Sequence, residues 1–361
     1  MQKLLITLII LLSAVPNLVF AQEESLAFDS RYVHGEVLRK DVTGDFGDIF
    51  DYETRLSSGD IISFESVEDS IDVGDKVYLE HFTEADEYVF TAVDRSLPLL
   101  VILGLFILLV LGLTRKKGVR ALVSLALSFA LLLWVFIPLL LQGYDPVSMA
   151  LFLGSAILFL SIFVTHGFSR QSTISFFGSM VSVLMATVVV MWVTSVGSFS
   201  GITDHSALFL SQFAGVELNF VSLYAAAVII GTLGVLDDIT ITQVAVVREL
   251  AQSPRTPRKE IFQGALRVGR DHITSLVNTL VFAYVGSALP LIMFMTQLDT
   301  PFAVLVSQEF ISAEIFRAMI GAIALIIAVP ITTWCASYPF FHFIKKDKKA
   351  LAVHDHDHHH H

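Results

Sequence analysis

The chain has 361 residues, 54% of them hydrophobic and only 16% charged, with a mean hydropathy of +0.71. A soluble protein carries roughly a quarter charged residues, so this composition excludes an ordinary water-soluble domain and points to the bilayer. The net charge of −11 is unevenly spread, residues 22–95 holding 20 acids against 6 bases and the remainder 14 against 17. An acidic balance with no basic stripe argues against a nucleic-acid partner. The single cysteine, Cys335, excludes an intrachain disulfide framework and a Cys-rich zinc site.

Met1–Ala21 opens with one lysine and an apolar run of about a dozen residues, broken by Pro16. Val19 and Ala21 stand at the −3 and −1 positions before Gln22, where a signal peptidase needs short side chains. The segment reads as a secretory signal, the alternative being a retained first membrane helix. Both options export residues 22–95.

That acidic segment alternates in short runs, Tyr32–Leu38, Ile61–Glu65, Lys76–Phe82 and Glu87–Val93. Gly44-Asp45, Gly47-Asp48, Gly59-Asp60 and Gly74-Asp75 punctuate them, which predicts a small β-rich domain, a five-strand barrel in its simplest form. Its acids read as a solvated surface, since no loop has the spacing of a calcium motif.

Seven apolar segments follow, 97–114, 119–141, 147–166, 174–197, 221–247, 272–296 and 314–343, each long enough to cross a hydrocarbon core of ~30 Å. With an exported N-terminus, the loops assigned to the cytoplasm carry 15 Lys and Arg and the opposite loops, 142–146, 198–220 and 297–313, carry none. That asymmetry is the positive-inside signature. The expected fold class is therefore an α-helical polytopic membrane protein, seven transmembrane helices after a signal sequence, with a small β-rich extracytoplasmic N-terminal domain. Its parts are 1–21 signal, 22–95 acidic domain, 96–344 transmembrane domain and 345–361 cytoplasmic tail.

Two segments hold residues that do not belong in lipid. Span 221–247 contains Asp237 and Asp238. Counting back from Arg248 at ~1.5 Å per residue sets Asp238 about 15 Å from the cytoplasmic edge. A central aspartate costs roughly 2.5–3.5 kcal/mol to insert, which makes two of them a functional signal. The competing reading is a permanently satisfied structural clamp. Asp238 shares a stripe with Ala227, Gly231, Gly234, Thr242 and Ala245, and Asp237 lies toward Thr240.

Span 272–296 presents His272, Ser275, Thr279, Ala283, Gly286 and Pro290 on one stripe. Asn278 is about 12 Å above Arg270, near the depth of Asp238, so Asn278 and Thr279 are the expected partners of the acids. Arg270, Asp271 and His272 are the expected gate or proton access point at the membrane edge. Ser175, Gly178, Ser179, Ser182 and Ala186 form a small-residue stripe suited to packing. Arg317 is expected to pair with Glu314 or snorkel, rather than reach Asp238. The tail His354–His361 can bind transition metals, but is assigned no transport role. Whether it is native or resembles an affinity tag is left open.

The motifs GTLGVLDDITITQ at 231–243 and GRDHITSLVNTLVFAYVGSALPL at 269–291, with the signal–acidic domain–multispan order, resemble the YibE/F family of bacterial membrane proteins. The resemblance implies an integral inner-membrane protein and supplies no reaction. A shorter likeness is to the SecD/SecF and resistance–nodulation–division carriers, where an acid in the corresponding helix takes part in proton-driven work. By that analogy Arg258–Arg267 would be an amphipathic connector.

The sequence-level expectation is a proton- or cation-coupled transporter of the inner membrane, without a cofactor and not an enzyme. Asp237, Asp238, Thr240, Thr242, Asn278 and Thr279 would bind the ion or solute. Its partners would be the bilayer, a small ion or solute, and further subunits in a homo- or hetero-oligomer. The alternative is an assembly scaffold whose acidic domain binds other proteins.

Overall fold

The computed structural model describes residues 30–43, 49–83, 85–213, 218–252, 256–297 and 300–357. The signal at 1–21 lies outside them, as do the Gly44-Asp45 and Gly47-Asp48 turns and His358–His361. The chain divides into two compact units at Arg115/Lys116.

The first unit holds five antiparallel strands, β1 (Ser30–Thr43), β2 (Ile49–Leu56), β3 (Ile61–Ser66), β4 (Lys76–Phe82) and β5 (Glu87–Val93), in the order β3-β2-β1-β4-β5. Gly59 at φ +98° and Gly74 at φ +95° make turns that a Cβ would strain. Strand β2 was absent from the expected set. It buries Phe50, Tyr52, Thr54 and Leu56 on one face, while Asp51, Glu53 and Arg55 dilute its hydropathy. The expected barrel is a half-barrel: no ladder joins β3 to β5 among the described residues, although Phe64 and Phe90 stack across them at 5.9 Å. Val37, Tyr52, Ile71, Val77 and Leu79 fill the concave core.

The β unit runs directly into α1 (Ser96–Thr114), none of whose residues is buried. Asp94 makes the joint. Its carboxylate accepts from the Ser96 amide at 2.9 Å and pairs with His34 on β1 at 3.1 Å.

The second unit is helical. Its members are α2 (Lys116–Leu141), α3 (Pro146–His166), α4 (Arg170–Val196), α5 (His205–Phe213), α6 (Phe220–Ala251), α7 (Arg258–Ser287), α8 (Leu289–Thr296), α9 (Phe302–Ser307) and α10 (Glu309–Asp357). Asp145, Ser169 and Asn219 cap α3, α4 and α6 by accepting from the amides of Ser148, Ser172 and Ser222. A π-helical turn at Leu132–Phe136 precedes Pro138 in α2 and makes room for a ring that a regular helix would crowd.

Six of the described helices are long and apolar enough to cross a membrane, or seven if the bent pair α7–α8 is one span. The protein is therefore a multi-pass membrane protein. The expected span 272–296 falls within the α7–α8 pair and is bent by 64°. Pro290 lacks an amide hydrogen and its ring crowds the Gly286 carbonyl, so the helix breaks at Ala288. The amphipathic connector at Arg258–Arg267 is not a loop but the first part of α7, and the expected tail from Lys345 continues α10 as helix to Asp357.

Hydrogen bonds from Ser96 and from His34 hold the Asp94 carboxyl below its usual range. A carboxyl held low in the folded state stabilises above its unfolded pKa, near 4, and loses that contribution as pH falls through the lowered value. Asp94→Ala should therefore speed tryptic cleavage at Arg95 at neutral pH. Wild-type exchange of the Ser96 amide should rise only below the ordinary carboxylate range, as hydrogen–deuterium exchange would report.

Candidate functional site

Helix α6 packs against α3, α4, α7 and α10. Between Phe220 and Val247 its uncovered positions are Ala227, Gly231, Gly234 and Asp238 alone, spaced four, three and four apart. They form one continuous stripe. Asp237, about 100° around the helix, turns inward and is half-buried.

Inside, the Asp237 carboxylate accepts a hydrogen bond from Ser161 on α3 through Oδ2. Its Oδ1 is buried and has no donor among the described residues. His166 closes α3 five residues beyond Ser161. Ser161 and His166 were not among the expected site residues. Their signal was faint, a serine and a terminal histidine in a span that otherwise reads as apolar.

Thr240 is fully buried and serves the packing. Its hydroxyl shares a 2.8 Å hydrogen bond with Ser179 on α4, and Ser175 donates to the Thr240 carbonyl at 3.3 Å. The serine stripe of α4 thus lies against α6, the packing role expected of it. Thr242 is half-buried beside the uncovered stripe.

Gln243, missed in the sequence although it ends the first motif, ties three helices together. Only 2% exposed, its amide donates to the Ala265 carbonyl of α7 at 2.9 Å and to Thr333 of α10 at 2.7 Å. A Cβ at Gly269 would collide with Val329 and crowd the Gln243 amide, so this approach requires glycine. Further along the same pair of helices, Gly231 of α6 faces the Tyr284 hydroxyl of α7.

Between these two contacts, helical rise sets Asp238 level with about Ser275 to Val277, within one turn of Asn278 and Thr279. The heights match, but the side chains do not meet. Asn278 and Thr279 are uncovered, Thr279 donates to the Ser275 carbonyl at 3.1 Å, and neither bonds to an acid among the described residues. Arg270 and Asp271 are exposed and His272 half-buried, three turns into α7 rather than at its start.

The other end of the bundle carries a separate polar group. Arg317 pairs with Glu314 at 2.5 Å, the expected partner, and lies 5.6 Å from the Tyr224 ring. Tyr224 donates to the Ala313 carbonyl at 2.8 Å, and Glu309 accepts from the amides of Ser200 and Gly201.

Residues 102–342, which carry both motifs, match the family model described as YibE/F-like protein. The chain belongs to that family. The match begins within α1 and ends within α10, so it reaches every described helix able to span and leaves the β strands outside. No curated protein and no solved structure matches this YibE/F-like chain.

The Gln243 tie makes a stability prediction. Gln243→Leu leaves the Ala265 carbonyl without its buried side-chain donor and should cost roughly 1–3 kcal/mol. A lower melting temperature in detergent, with monodisperse protein still recovered, would show it.

Proposed function

We propose that the protein is an ion-coupled carrier of a bacterial inner membrane, with Asp237 and Asp238 as its ion-binding acids. The observation that carries this reading is a carboxylate oxygen, Asp237 Oδ1, buried in a spanning helix without a donor among the described residues. An anionic oxygen in a low-dielectric interior is costly until a proton or cation reaches it. The Ser161 hydroxyl would hold the other oxygen in place while Oδ1 takes up and releases the ion.

Asp238 gives the ion a second environment one residue away. It lies on the uncovered stripe, so the pair would hand a proton or cation between the inside of the bundle and its open side. Thr242, Asn278 and Thr279 supply hydroxyl and amide oxygens along that side, with Thr240 fixing the helix from within. Arg270, Asp271 and His272 would gate the basic end. The lysine and arginine bias favours that end in the cytoplasm, and the acidic β unit would then lie outside.

A second reading, an assembly scaffold, is favoured by one observation: the β unit has a hydrophobic core of its own. The two separate cleanly by experiment. In proteoliposomes with a trapped pH dye and clamped potential, across mono- and divalent cations, wild type should carry a flux. Asp237→Asn with Asp238→Asn should reduce it to the level of empty liposomes, and Ser161→Ala should lower it part-way. Full flux in the double variant would discard the carrier reading. Loss of cellular function on deleting residues 22–95, with the Asp variants unaffected, would favour the scaffold.

A further inference from the structure

Away from the acids, the first turns of α7 and the later part of α10 border an open cavity of about 400 Å³ lined by Arg258, Lys259, Phe262, Trp334 and Ser337. On the same stretch of α7, Ile261 and Ala265 are buried with Val244, Val247 and Ala251 of α6 and Ala336 of α10. The Arg258 guanidinium lies 4.8 Å from the centre of the Tyr338 ring. A planar guanidinium presents its N–H groups in its own plane, the arrangement that grips two phosphate oxygens at once.

Trp334 follows Glu309 by 25 residues on one helix, ~37 Å of rise, so it stands about one bilayer crossing from the Glu309–Arg317 end. Trp334 and Tyr338 are 63% and 55% exposed, as aromatic residues are in the interfacial belt. Two cations, an apolar wall and an exposed indole at that height match a ligand that is anionic at one end and hydrocarbon at the other.

We infer that this cavity binds the phosphate headgroup of an anionic phospholipid, Arg258 and Lys259 taking the phosphate while Phe262 and Trp334 flank the start of the acyl chains. The shared chemistry, a phosphate anion, could also come from solution. The apolar lining and the interfacial height favour the lipid. The site is independent of the acids and holds whatever the protein transports.

The test uses full-length protein in detergent, titrated with phosphatidylglycerol or phosphatidylethanolamine and followed by native mass spectrometry and thermal unfolding. Wild type should retain phosphatidylglycerol in preference and melt higher with it. Arg258→Ala with Lys259→Ala should weaken that binding by about thirtyfold, at ~1 kcal/mol for each basic residue. Arg267→Ala, on the same helix but outside the lining, should leave it unchanged. Equal retention of the two lipids by wild type would overturn the inference even if the double variant failed to fold. So would undiminished phosphatidylglycerol binding in the folded double variant or in Lys259→Ala and Arg258→Ala singly. Inorganic phosphate stabilising wild type as much as the lipid does would overturn the lipid assignment.

Discussion

The bundle depends on a set of polar bonds made where no water competes. Ser179 with Thr240, Ser175 with the Thr240 carbonyl, and Gln243 with Ala265 and Thr333 fasten α4, α7 and α10 to α6. Lipid tails are as apolar as leucine, so helices in a bilayer gain little from hydrophobic burial against one another. Close packing and hydrogen bonds take over. The small side chains of α4 serve both, because they let the backbones approach until a serine hydroxyl reaches a carbonyl across the interface.

That fastening explains how a helix with two adjacent acids keeps its position. Most of the circumference of α6 is engaged by neighbours that hold it in one rotational setting. The setting turns Asp237 toward Ser161 and leaves Asp238 on the uncovered stripe. A rotation of one residue would exchange their surroundings. The clamp at Thr240 and Gln243 is therefore what makes the two carboxylates chemically different, even though their sequence positions are adjacent.

The β unit obeys other physics. It is stabilised by a core of alternating inward side chains, among them Tyr52, whose hydroxyl donates to the Glu68 carbonyl at 2.6 Å. Lys40 spans its edge, 2.7 Å from Asp69 and above the Phe50 ring. Such a fold needs no bilayer, which is why its composition departs so sharply from the segments that follow.

The amino-acid pattern alone determined the membrane class, the first five apolar spans to within about four residues, the β character of the acidic segment and the two motifs that resemble the family. Each rests on local composition and period, which neighbours along the chain express directly. The pattern also singled out the stripe through Gly231, Gly234 and Asp238, because 3.6 residues per turn suffices to draw it. Only the tertiary structure decided what that stripe faces. It assigned Ser161 to Asp237 across 76 positions, gave Thr240 to packing, made Gln243 a junction and left Asn278 and Thr279 apart from the acids. It also turned a connector and a span into one long helix broken at Pro290. Such pairings depend on how each helix is rotated and offset against the next, and that is settled by packing between distant segments, which no local period encodes.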